Sequence, residues 1–172
     1  MDSVIILRHL IISILLRTIP QGVSTMAYQH ILVPVDGSPT SLAAVKQAAD
    51  IAKAFGSKVT AVCVLSVEPF IAVEFVDTQT LVEDYRNKAK QEIQKTLDQA
   101  KALFAAEGVE VETRLTEGQE IYKEIINTTE EINADLIIMG SHGRKGIKKI
   151  FLGSVAQSVL AATHLPVMII KQ

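Results

Sequence analysis

The chain has no tryptophan, one cysteine and no excess of basic over acidic side chains. A single cysteine, Cys63, cannot build a disulfide framework, and no CxxC pair exists to bind zinc or exchange electrons. With 17 Lys and Arg against 19 Asp and Glu, the formal charge is −2, so the basic footprint of a general nucleic-acid binder is missing. Aromatic residues make up only 5% beside nine glycines, which fits an aliphatic α/β domain better than a β-sandwich. The patterns G-x4-G-K-[ST], HExxH and G-x-S-x-G do not occur, so the common signatures of nucleotide hydrolysis, zinc proteolysis and serine hydrolysis are absent. The apolar run Val4 to Leu16 contains Arg8 and His9. As a helix it would cover ~20 Å of a ~30 Å hydrocarbon core, so no membrane span is expected.

What is present suffices for one domain. At 172 residues and 48% apolar content, the chain can bury roughly 70% of its unfolded surface without disulfide or metal. Residues 1–25 read as an extension outside that domain. Asp2 is the only charge ahead of the apolar run, unlike a secretory signal. A start placed too early, a targeting or membrane-peripheral segment and a packed helix all remain open for it. Met26 opens MAYQHILVPVDGS, a natural beginning for a domain over 26–172.

Hydrophobic periodicity divides this domain into alternating strands and helices. His30 to Val35 is a strand ending at Asp36-Gly37, and Ser38-Pro39 is a cap and first helical position. Leu42, Val45, Ala49, Ala52 and Phe55 mark the buried stripe of the first helix, which Gly56 stops. Val59 to Val67 is a strand covered on both faces. Thr78 to Glu107 is a long helix with Leu81, Tyr85, Ala89, Ile93, Leu97, Ala100 and Phe104 inward. Val109 to Leu115 alternates like an edge strand, Gln119 to Asn133 is a third helix and Leu136 to Met139 a buried strand. Ser154 to His164 is the last helix, with Ser154 and Gln157 at capping-box spacing, and Val167 to Ile170 is the last strand.

Strand-helix repetition implies an α/β, doubly wound five-stranded parallel sheet with helices on both faces. Orders 2-1-3-4-5 and 3-2-1-4-5 both suit five strands, and the half-wet third strand favours 3-2-1-4-5. The last strand is then an uncharged edge, which predicts a homodimer through Val167–Ile170. Ligands of such sheets sit where strand order reverses, here between the first and fourth strands. Asp36-Gly37-Ser38 and Gly140-Ser141-His142-Gly143 leave those strands. Gly140, Gly143 and Gly153-Ser154 form G-x2-G-x9-G-S, running from a buried strand to a helix start. Such glycines admit a phosphate to the backbone and supply positive φ, while Gly153, Ser154 and Val155 offer amides. Arg144, Lys145, Lys148 and Lys149 add local positive charge.

HILVPVDGS, MGSHGRKG, Gly153-Ser154-Val155 and LPVMIIK together carry a resemblance to the universal stress protein family, in its nucleotide-binding branch, from about Gln29 to Lys171. The resemblance implies an adenine nucleotide, usually ATP, a dimer through the last strand and a stress role in the cytoplasm. It sets Asp36 against the adenosine with Pro34 and Val35 beside it, Val64 at the adenine, and Met139 and Gly140 at the ribose. It sets Gly143, Gly153, Ser154 and Val155 at the phosphates, with Ser141, His142 and Arg144 in the same loop. Magnesium would be held mainly by phosphate oxygens. His142 has no partner arranged by spacing, so no catalytic residue is assigned, and at most weak ATPase activity is expected. Two rivals stand beside this reading. One is a dimeric interaction module of the same fold without nucleotide. The other is an adenylyl-transfer or flavin enzyme, although the H-I-G-H of the synthetases is replaced here by Asp36-Gly37-Ser38.

Overall fold

A computed structural model describes residues 28–66, 78–143 and 152–171, and main chain only for 78–82. The extension 1–25, the segment Glu68 to Asp77, and Arg144, Lys145, Lys148 and Lys149 lie outside the described residues.

The elements are β1 (His30–Pro34), α1 (Pro39–Phe55), β2 (Lys58–Ser66), α2 (Thr78–Ala106), β3 (Glu112–Gly118), α3 (Ile121–Glu131), β4 (Leu136–Gly140), α4 (Ser154–Ala162) and β5 (Val167–Ile170). All pairings are parallel, in the order β3-β2-β1-β4-β5 expected from the sequence. Beneath one sheet face, α1 and α2 pack on Ile31, Val33, Ala61 and Ile138. Beneath the other, α3 and α4 pack on Leu32, Val62, Ile137 and Met139. Alternate residues of β1 and β4 thus feed two separate cores, which is why these strands are apolar throughout. Among the described residues, no helix is long and apolar enough to cross a membrane.

Ser38 caps α1 as expected. Its backbone is extended, its Oγ accepts the Ser41 amide hydrogen at 3.2 Å, and Pro39 follows at the first turn. Gly56 ends the helix at φ 70°, where its amide donates to the Ala52 carbonyl at 2.7 Å.

Four expectations need correction. The buried face of α1 is Ser41, Ala44, Val45, Ala48, Ala49 and Ala52, whereas Phe55 lies outside it, edge-on to Tyr28. Small side chains let α1 lie close to the sheet. Tyr85 leaves the α2 stripe and stands 72% exposed. The third strand begins at Glu112, not Val109, because the Val109 amide is still bound to the Phe104 carbonyl of α2. Val109 and Val111 nevertheless pack on the core, which imitates a strand's alternation. Finally, Ser154 and Gln157 form no capping box. The cap of α4 is Gly153, and the Gln157 amide side chain reaches the Leu152 carbonyl instead.

Candidate functional site

Pro34 lacks a ladder donor, and the structure shows where that gap falls. Val35 donates to the Val62 carbonyl at 2.8 Å, on the β2 side. Alternate residues point to opposite sides, so the missing N–H of Pro34 faces β4. The register of β1 on β2 continues to Pro34↔Val62, whereas that on β4 ends at Leu32↔Ile137. The strands therefore part at the switch point.

A cavity of about 1000 Å³ opens there. Pro34, Val35, Asp36, Val64, Met139, Gly140, Ser141, His142, Gly143, Gly153, Ser154 and Val155 all line it. The structure thus brings together every candidate within the described residues; Arg144 is outside them.

The walls are fixed by cross-links that periodicity does not show. Thr40 Oγ1 donates to the His142 carbonyl at 2.5 Å, which ties the first turn of α1 to the loop after β4. Ser141 is buried; its amide donates to the Ile170 carbonyl at 2.8 Å and its own carbonyl accepts from Gly153 at 2.8 Å. Its Oγ meets His142 Nδ1 at 3.0 Å, a partner that spacing did not reveal. Because Ser141 is only 1% exposed, this pair orients the loop and does not present a nucleophile. Asp36 Oδ1 accepts the Ser38 amide hydrogen at 3.0 Å, so Asp36 serves the turn while also lining the cavity.

The loop glycines act by having no side chain. The positive-φ glycines among the described residues are Gly37, Gly56 and Gly108, so the expected left-handed conformations at Gly140, Gly143 and Gly153 are not found. A Cβ on Gly140 would come 2.9 Å from the Ser41 nitrogen and the Thr40 carbonyl carbon, both main chain. One on Gly143 would come 2.8 Å from Asp36 Oδ2, and one on Gly153 3.2 Å from the Ser141 oxygen. The Gly153 amide is also not available as expected, since Ser141 takes it. The first three N–H groups of α4, on Ser154, Val155 and Ala156, have no acceptor within the helix. All three residues line the cavity, where the positive end of the helix favours an anion.

Sequence reasoning missed the wall formed by Tyr85, Lys88, Ala89 and Glu92 of α2. Beside it Glu117, at the end of β3, is held by Lys90 at 2.7 Å and by Arg86. These two hydrogen-bonded cations, Lys90 foremost, hold the Glu117 carboxyl below the usual carboxylate range.

The sequence and the fold have relatives among known proteins. A profile of the universal stress protein family matches residues 27–171. The universal stress protein MJ0531 of Methanocaldococcus jannaschii is 37% identical over 145 residues, which cover 84% of this chain and 83% of that protein. A solved universal stress protein in complex with cAMP is 28% identical with a TM-score of 0.63, covering 84% of this chain and 98% of its own. The universal stress protein of Archaeoglobus fulgidus in complex with dAMP is 27% identical with a TM-score of 0.60, covering 85% and 100%. With its parallel sheet order, its cavity at the switch point and a match spanning nearly the whole described chain, this protein belongs to the universal stress protein family.

Proposed function

We propose that the chain binds an adenine nucleotide, ATP foremost, in the cavity at the carboxyl ends of β1, β2 and β4. It acts as a dimeric, nucleotide-dependent regulator in the cytoplasm and hydrolyses its ligand slowly or not at all. The observation that carries this reading is that the amides of Ser154, Val155 and Ala156, without acceptors in their own helix, front a cavity of about 1000 Å³ at the switch point. An anion needs both close backbone approach and donors without partners. Relatives solved with cAMP and dAMP support the same ligand class. Ser154, Val155 and Gly143 then face the phosphates, Met139 and Gly140 the ribose, and Asp36, Pro34, Val35 and Val64 the nucleoside. Ser141 and His142 shape the loop, and Arg144 follows Gly143 in the sequence, outside the described residues.

No group of three His, Cys, Asp or Glu among the described residues could hold a metal. Magnesium accompanying the nucleotide would be coordinated chiefly by phosphate oxygens; Asp36 and Glu92 are the carboxylates in the cavity lining. The dimer reading rests on β5, which pairs only with β4 among the described strands and carries no charge from Val167 to Ile170.

Calorimetric titration tests the reading. Wild-type protein binds ATP at one site per chain, and Gly153→Val, whose branched side chain would strike the Ser141 carbonyl, weakens binding by about tenfold or more while still folding. Wild-type protein that binds neither ATP, ADP nor AMP overturns it. Multiple turnovers per second with ATP and magnesium overturn the non-enzymatic part.

A further inference from the structure

The α2 side of the cavity has no role in the phosphate contacts proposed above. Tyr85, Lys88, Ala89 and Glu92 recur at helical spacing, so they share one face of α2, and all four line the cavity. Thr96, one turn beyond Glu92, continues that face onto the Asp36-Gly37 turn, where a Cβ on Gly37 would lie 3.4 Å from its Oγ1. From Thr96 the face runs outward toward Tyr85 by roughly 16 Å at 1.5 Å per residue, so it stands as a wall over the strand ends.

Its rotation is fixed. Arg86 and Lys90 grip Glu117 of β3 on the neighbouring face, and Ile93 and Leu97 are buried in the core. Lys95 holds Glu92 at 2.6 Å. Lys88 alone, of the cations from Arg86 to Lys95, holds no carboxylate among the described residues. Tyr85, 72% exposed, has no ring or hydrogen-bond partner among them either.

The position of this wall selects which end of a nucleotide it meets. The α4 amides lie on the sheet face that carries α3 and α4, beyond β4. The α2 wall lies on the opposite face, over β2 and β3. A ligand whose phosphates reach Ser154 extends its other end past Asp36 and Val64 toward α2. We propose that Tyr85 and Lys88 form the base-end wall of the site, the Tyr85 ring packing on the face of the nucleobase and the Lys88 ammonium donating to its ring nitrogens. This inference rests on the nucleotide reading above. An exposed aromatic platform beside an unpaired cation is the chemistry that holds a base without demanding its identity.

The chain has no tryptophan, so Tyr85→Trp places its only indole at this wall. Saturating ATP quenches that emission, whereas inorganic triphosphate does not. By calorimetry Tyr85→Ala weakens ATP by about fivefold or more, Tyr85→Phe stays within about twofold, and Lys88→Gln costs about threefold. Thermal melting of the ligand-free variants shows whether each still folds. If wild type binds ATP and Gly153→Val does not, yet the indole emission stays unchanged or Tyr85→Ala binds normally, the base-end wall is overturned and the nucleotide reading stands. An unchanged Lys88→Gln removes Lys88 from the wall. Wild-type protein that binds no adenine nucleotide overturns both.

Discussion

At the amino ends of β1 and β4, the Asp135 carboxylate accepts the amide hydrogens of Gln29 and His30 at 2.7 and 3.1 Å. The Asp135 amide returns a bond to the His30 carbonyl, His30 Nε2 meets Thr60 Oγ1 at 2.8 Å, and the Ser57 hydroxyl donates to the Tyr28 carbonyl. At the carboxyl ends of the same strands, the amides of Ser154, Val155 and Ala156 are left without helical acceptors around a cavity of about 1000 Å³. One end spends its polar groups on itself; the other withholds three donors and removes three side chains. Unsatisfied donors cost stability unless something binds them. The sealed end therefore contributes to holding the strands in register, and the open end leaves its donors to the proposed ligand.

This contrast can be broken from either side. The largest effect is expected at Gly140→Val, because its Cβ would meet main-chain atoms of Thr40 and Ser41, which cannot swing away. Urea denaturation should show a loss of about 3 kcal/mol, together with lost ATP binding. Asp135→Ala tests the sealed end. It frees two amides and should cost about 2 kcal/mol in the same assay, while the ATP affinity of the folded fraction is unchanged. A drop in affinity there would mean that the two ends are coupled. The smallest effect is at Glu117→Gln, on the clamp between α2 and β3. Lys90 and Arg86 depress the Glu117 pKa, so its contribution is present at neutral pH and is lost as pH falls through that lowered value. At pH 7 the variant should be less stable by about 0.5 kcal/mol, and the difference should close in acid, as the pH falls below the ordinary glutamate range.

Much of this was legible from residues close in sequence. Ser38-Pro39 and Gly56 mark the ends of α1 because caps and positive φ are local requirements. The strand order followed from which strands were apolar throughout. Other readings failed where a distant group decided the outcome. Ser154 has the spacing of a cap but sits one position inside α4, since the chain is fixed by Gly153 donating to Ser141. Tyr85 fits the α2 stripe by count, yet at Tyr85 the helix faces the cavity and the side chain is exposed.

The sequence by itself determined the alternation of strands and helices, their order in the sheet and the end of the sheet at which small and polar residues gather. Each follows from periodicity, caps and glycines within a few neighbouring residues. Only the tertiary structure decided that Gly140 must be bare to admit α1, that Thr40 ties α1 to His142, which amides stay unpaired, and that α2 supplies a wall. Those outcomes depend on groups brought together across long stretches of chain, 102 residues for Thr40 and His142, and no local pattern encodes which of them will meet.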